Sequence, residues 1–176
     1  AEDGIPRVKM KIGRDPERDP ARLDAARSAV GDDVELYVDA NGAFTAKTAL
    51  AWAERFALEW NVSWFEEPVS SADFDGLRLL REHGPAGLDI AAGEYAYVAA
   101  DFRNLVDCVD VLQADVTRCG GITGLLTASG LANAHGVDVS AHCAPAISAH
   151  AFCAVERRRH LEYFHDHVRI EAMLFD

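Results

Sequence analysis

Residues 34–66 read VELYVDANGAFTAKTALAWAERFALEWNVSWFE, and three segments of different periodicity follow one another in this stretch. Val34–Asp39 is a short apolar and β-branched run, the composition of a buried strand. Ala49, Trp52, Ala53, Phe56, Ala57 and Trp60 then recur at the three- and four-residue spacing that gives a helix one continuous apolar face. Val62–Glu66 is a second short run of strand composition. Strand, helix, strand at this interval predicts two parallel strands joined by a right-handed crossover.

The alternation extends outward in both directions. Val8–Ile12, Leu88–Ala92, Val109–Gln113, Val137–Ala141 and Leu161–Phe164 read as further strands. Asp19-Pro20 reads as the N-cap and first residue of a helix that Gly31 closes, and Gly136 closes another running from about Ile122 to Ala134. Each strand ends at a polar group, in order Lys11, Asp39, Glu66, Glu94, Asp115, His142 and Glu162, at separations of 28, 27, 28, 21, 27 and 20 residues. The predicted class is α/β, an incomplete (β/α)₈ TIM-type barrel with about seven βα units. An open doubly wound sheet is the alternative, but such a sheet gathers its chemistry at one switch point, whereas here every strand ends in a polar group. Residues 1–176 read as a single domain that lacks a first strand and the end of a last helix. Ala1 in place of Met reads as the start of an excerpt from a longer chain.

Composition narrows the function classes. The chain has 176 residues, is 49% hydrophobic and carries a net charge of −12, so a nucleic-acid backbone or anionic membrane surface would be repelled. It contains no apolar run approaching the roughly 20 residues of a bilayer span, and its first residues lack the basic and apolar regions of a leader. Cys108, Cys119, Cys143 and Cys153 form no CxxC pair and fit buried thiols of a reducing cytoplasm.

In a barrel the C-terminal strand ends converge on one mouth, which makes Asp39, Glu66 and Glu94 neighbours. Three carboxylates on one rim repel one another unless a cation neutralises them, and an oxygen-only set favours a hard ion, Mg²⁺ before Ca²⁺ or Zn²⁺. The alternative is that Asp39 caps the Ala40-Asn41-Gly42 turn and the glutamates cap helices. Lys9 and Lys11 share one face of their strand by period two. Facing the mouth, one would act as a base while the other binds an anion; on an edge strand, both would be solvated. Asp115 and His142 end neighbouring strands, where the carboxylate would fix one imidazole nitrogen and leave the other as an acid or base; a satisfied interior histidine is the alternative. Glu162 would hydrogen-bond a substrate or the backbone. His165 and His167 enter the same mouth as added contacts or as packing, Cys119-Gly120-Gly121 reads as an anion-binding or simply tight turn, and Arg157–Arg159 as a solvated helix end.

Val8-Lys-Met-Lys-Ile-Gly13, Val38-Asp-Ala-Asn41, Trp64-Phe-Glu-Glu-Pro68, Ala92-Gly-Glu94, Leu112-Gln-Ala-Asp115, Cys119-Gly-Gly-Ile-Thr123 and Ser140-Ala-His142 stand in the order and spacing of the enolase superfamily. The chain resembles the barrel domain of its mandelate racemase and muconate lactonizing enzyme branch, from the second barrel strand to the eighth, without the capping domain. The resemblance implies one Mg²⁺ held by Asp39, Glu66 and Glu94. It implies Lys11 as a general acid/base assisted by Lys9, His142 paired with Asp115 as the acid/base on the opposite face, and Glu162 bonded to the enediolate intermediate. A Lys or His base with Mg²⁺ beside an ene-diolate is the general description of this superfamily. The implied activity is abstraction of the α-proton of a hydroxylated carboxylic acid. Acid-sugar dehydration leads; racemisation or epimerisation of a 2-hydroxy acid is one alternative, and a non-catalytic metal-binding fragment another. The implied partners are a small carboxylate substrate and further copies of the chain in a homo-oligomer.

Overall fold

The computed structural model describes residues 4–175; the reading of Ala1, Glu2 and Asp3 as lacking leader character lies outside them. The chain divides into two compact units, Ala1–Ala91 and Ala92–Asp176.

The first unit runs β1 (Arg7–Lys11), α1 (Asp19–Val30), β2 (Glu35–Asp39), α2 (Ala46–Trp60), β3 (Val62–Glu66), α3 (Phe74–His83) and all but the last residue of β4 (Asp89–Ala92). Its strands are parallel and adjacent in chain order, with Lys11 opposite Asp39 and Asp39 opposite Glu66. That sequential order is the barrel pattern, without the reversal a doubly wound sheet requires. Helix α2 forms as its spacing predicts: the Thr45 hydroxyl accepts from the Thr48 N–H, left-handed Asn61 ends it, and Ala49, Ala53, Phe56 and Trp60 are buried. Phe56 meets Phe65 of β3 edge-on at 5.1 Å between ring centroids, so the helix packs its apolar face on the sheet.

Helix α1 differs from the sequence expectation by one residue. Its N-cap is Arg18, and Asp19 is buried inside the first turn. The Asp19 carboxylate accepts from the Gly13 N–H at 2.7 Å and from Arg22 at 2.7 Å. It is therefore spent on pinning the β1–α1 loop rather than on capping its own helix. Gly13, at φ +84°, leaves no room for a Cβ, which would come within 2.6 Å of the Ala43 Cβ.

The second unit runs α4 (Ala99–Leu105), β5 (Val111–Ala114), α5 (Gly121–His135), β6 (Asp138–Ala141), α6 (Pro145–Phe152), β7 (Arg158–Leu161) and α7 (His165–Glu171). β5, β6 and β7 are parallel and again sequential. Strand β7 begins three residues before the expected Leu161–Phe164, and Arg158 and Arg159 lie in it rather than in a helix end. Arg157 and Arg159 reach Asp138 at the start of β6, at 2.9 and 3.6 Å. Exposed charge with a cross-strand partner holds this strand where apolar periodicity does not mark it. Cys108, Cys119 and Cys143 are buried as expected, but Cys153 is exposed at the end of α6. Among the described residues, no helix is long and apolar enough to cross a membrane.

Candidate active site

In the first unit the strand ends carry a compact charge cluster. Asp39 and Glu66 are almost fully buried, at 0% and 1% exposure, an environment that ionised carboxylates occupy only when compensated. Lys11 donates to Asp39 Oδ2, and Lys9 donates to Glu66 Oε1 at 2.5 Å while lying 3.9 Å from Asp39 Oδ2. Period two thus places both lysines on the carboxylate face of β1. Each carboxylate divides its oxygens between two tasks. Asp39 Oδ1 accepts from the Asn41 N–H at 2.8 Å, the turn-capping role expected as an alternative, while Oδ2 faces the lysines. Glu66 Oε2 accepts from the Trp64 indole N–H at 2.9 Å, and Oε1 faces Lys9. One oxygen fixes the side chain and the other is presented to a cation.

The second unit repeats the device. Asp115 follows β5, and its Oδ1 accepts from the Thr117 N–H at 2.7 Å and hydroxyl at 2.6 Å. Its Oδ2 lies 2.8 Å from His142 Nδ1. His142 follows β6 directly, and its Nε2 lies 2.7 Å from Glu94 Oε2 and 3.7 Å from Glu162 Oε2. Glu94 lies beyond Gly93, where φ is +135° and a Cβ would strike the Gln113 carbonyl oxygen at 2.2 Å. Glu162 follows β7, and its Oε2 accepts from the Cys143 N–H at 3.0 Å.

The strongest influence on the His142 ring is burial, which disfavours its charged form. Hydrogen bonds with Asp115, Cys143 and Glu94 and the charge of Glu94 outweigh it and push the pKa up to about 12. Burial likewise raises Asp115, but its bonds with His142 and Thr117 prevail and hold it below the usual aspartate range. A histidine whose folded pKa is raised above the ordinary 6.5 adds stability that is full below that value and fades as pH climbs toward the folded one. The metal-free protein is therefore expected to lose stability steadily between pH 6.5 and about 8.5, a window inside that range. Urea midpoints across the window are expected to fall in the wild type and to flatten in His142→Asn; parallel slopes would contradict the assignment.

Three groups in these clusters escaped the sequence reading. Arg118 lies 3.5 Å from Asp115 Oδ2, donates to the Glu94 carbonyl at 3.0 Å and stacks over Tyr95. Trp64 was legible in principle, sharing the face of Glu66 by period two. Cys143 touches both His142 Nε2 and Glu162 Oε2 at 3.4 Å, and its adjacency to His142 was the available signal. Asn41, Glu67, Cys143 and Ala144 have positive φ, so left-handed backbone recurs just after the strand-end groups. His167 accepts from the Ala144 N–H at 3.2 Å and packs edge-on against Phe164, a packing role, while His165 opens α7 exposed to solvent. The Cys119-Gly120-Gly121 turn leads into α5 through two left-handed glycines.

Comparison with known proteins gives the family of the chain. The family model described as enolase C-terminal domain-like matches residues 1–176. The L-talarate/galactarate dehydratase of Salmonella typhimurium is 33% identical over 168 residues, covering 93% of this chain and 41% of that protein. A mandelate racemase/muconate lactonizing enzyme-like protein from Rubrobacter xylanophilus superposes with a TM-score of 0.96 at 63% identity, over 99% of this chain and 49% of that one. An enolase from Bradyrhizobium complexed with magnesium and mandelic acid gives 0.86 at 30% identity, over 93% and 45%. Other curated relatives are cycloisomerases, an epimerase and further sugar-acid dehydratases. The chain spans under half the length of the relatives it matches. Its seven βα units are those of an incomplete α/β barrel, and the chain belongs to the enolase superfamily, in the mandelate racemase and muconate lactonizing enzyme branch.

Proposed function

We propose that the protein removes the α-proton of a hydroxylated carboxylic acid and expels a β-hydroxyl, as an acid-sugar dehydratase. The observation that carries this reading is the His142 ring held at both nitrogens, by Asp115 at 2.8 Å and Glu94 at 2.7 Å. An imidazole between two carboxylates is held as a proton donor, the form a departing hydroxyl requires. Dehydratases among the relatives, and a related L-talarate dehydratase from Polaromonas complexed with Mg and L-glucarate, support the substrate class.

The residues present fit a divalent cation. Asp39 and Glu66 already hold positive charge on one oxygen each, their donors are hard oxygens, and Glu94 supplies a third buried carboxylate. Asp39, Glu66 and Glu94 would hold Mg²⁺, which supplies positive charge against the carboxylate oxygens of the acid as its α-carbon becomes acidic. Lys11 takes the α-proton, Lys9 binds the substrate carboxylate, and His142, oriented by Asp115, gives its Nε2 proton to the leaving hydroxyl. Glu162 hydrogen-bonds the substrate beside it. Neither a nucleic acid nor a membrane surface has a place in this chemistry, and the family habit of assembly makes a homo-oligomer the working state.

The test is incubation with a panel of acid sugars in deuterated solvent with Mg²⁺. A 2-keto-3-deoxy acid is the expected product. Inversion of a stereocentre without loss of water would make the protein an epimerase or racemase, and absence of both turnover and α-deuterium incorporation would sink the proposal in favour of a metal-binding role alone.

A further inference from the structure

We infer that His142 Nε2, Cys143 Sγ and a Glu162 carboxylate oxygen form a site for a thiophilic divalent cation of the Zn²⁺ class, distinct in ligands from the oxygen-only set. All three residues lie in the second unit, at the ends of β6 and β7. Their donor atoms make a nearly equilateral triangle: 3.4 Å from Sγ to Nε2, 3.4 Å from Sγ to Oε2 and 3.7 Å from Nε2 to Oε2. A tetrahedral ion with bonds of about 2.3 Å to sulfur and about 2.0–2.2 Å to nitrogen or oxygen sets its ligands roughly 3.4–3.6 Å apart. The two edges to sulfur fall in that range and the edge from Nε2 to Oε2 lies just beyond it, before any rearrangement.

The surroundings orient each ligand as a metal site requires. His142 Nδ1 is engaged by Asp115, itself fixed by Thr117, so Nε2 is the ring nitrogen left to the triangle, a ligand once it gives up its proton. The Cys143 N–H donates to Glu162 Oε2, which holds the carboxylate beside the thiol. His142 and Cys143 are buried, whereas the Glu162 side chain is 18% exposed and gives the ion a way in. Glu94 Oε2, only 2.7 Å from Nε2, is too close to share a tetrahedron with it as placed, so the fourth position falls to water.

Binding releases the thiol proton and the Nε2 proton to solvent, and the thiolate and carboxylate then balance the charge of the ion. Thiolate and imidazole favour Zn²⁺ over Mg²⁺ by softness. An ion here occupies the His142 lone pair and so blocks proton transfer at that residue. The assignment rests on the three ligands and not on the proposed reaction, so either can fail alone.

Cd²⁺ is the probe, titrated into Cys153→Ser protein, which removes the exposed thiol, with excess Mg²⁺ and a thiol-free reductant. One equivalent is expected to bind with a thiolate-to-metal absorption band that Cys143→Ser abolishes. Glu162→Gln and Asp115→Asn are each expected to weaken binding about 10–100-fold. A band that persists in Cys143→Ser, or its absence in folded Cys153→Ser protein, overturns the site. Should Cys143→Ser fail to fold, zinc-edge X-ray absorption on Cys153→Ser protein decides: one sulfur at about 2.3 Å supports the site, and a shell of nitrogen and oxygen alone overturns it.

Discussion

Turnover of the acid substrate is expected to fall by on the order of 10²–10⁴-fold in Lys11→Met and in His142→Asn, the range a positioned general acid or base contributes, without loss of Mg²⁺ affinity. The two halves of the prediction have separate grounds. Lys11 is more than half exposed along its side chain and its ammonium bonds Asp39 Oδ2, so Met keeps the bulk of the stem and removes only the ammonium. That ammonium occupies an oxygen a cation would use, so Mg²⁺ binding stays level or tightens when it is gone. Asn at 142 keeps a polar group beside Asp115 but cannot carry a proton between Asp115 and Glu94. In deuterated solvent, Lys11→Met is expected to lose incorporation at the α-carbon, whereas His142→Asn loses expulsion of the hydroxyl. Steady-state kinetics with calorimetric Mg²⁺ titration checks both; an equal loss of metal binding in the two variants would point to misfolding instead.

The strand-end groups were legible because a parallel βα succession forces one polar residue per strand to the same end, and regular spacing exposes that rule without any contact being known. Lys9 and Lys11 became informative only beside Asp39 and Glu66; alone, a KxK on a strand reads equally well as solvated charge. The division of labour within each carboxylate was not legible. Asp39 caps its turn through Oδ1 and faces Lys11 through Oδ2, so the turn-capping role occupies one oxygen and leaves the other turned to positive charge. Strand β7 was misplaced because Arg158 and Arg159 carry no apolar signal, and Arg157 and Arg159 are held through Asp138, a partner distant in the sequence. Asp19 was misassigned for a related reason: its carboxylate answers to Gly13 and Arg22, and a cap motif cannot reveal that a side chain is already engaged. Arg118 falls outside every motif, and only the fold brings its guanidinium to Asp115 and Glu94.

Glu66→Gln carries the largest expected effect on the metal. Its carboxylate is 1% exposed, with one oxygen bonded to the Trp64 indole and the other to Lys9. A glutamine of the same shape can still accept from Trp64 through its carbonyl. It then turns an NH₂ group toward Lys9 and toward any cation, replacing attraction by a donor facing positive charge. Truncating one member of a buried, hydrogen-bonded charge pair costs about 2–5 kcal/mol, which corresponds to roughly 30- to several-thousand-fold in Mg²⁺ dissociation constant. Calorimetric titration of the folded variant beside wild type reads this directly, with Glu67→Gln as the neighbouring control. Glu67 is also buried, but it sits past the strand end in left-handed backbone, with its N–H bonded to the Ala91 carbonyl. A selective loss in Glu66→Gln assigns the ligand role to the first glutamate of the pair. Equal losses would assign it to the buried negative charge of the pair as a whole, and unchanged affinity in Glu66→Gln would return Glu66 to a structural role as the partner of Trp64 and Lys9.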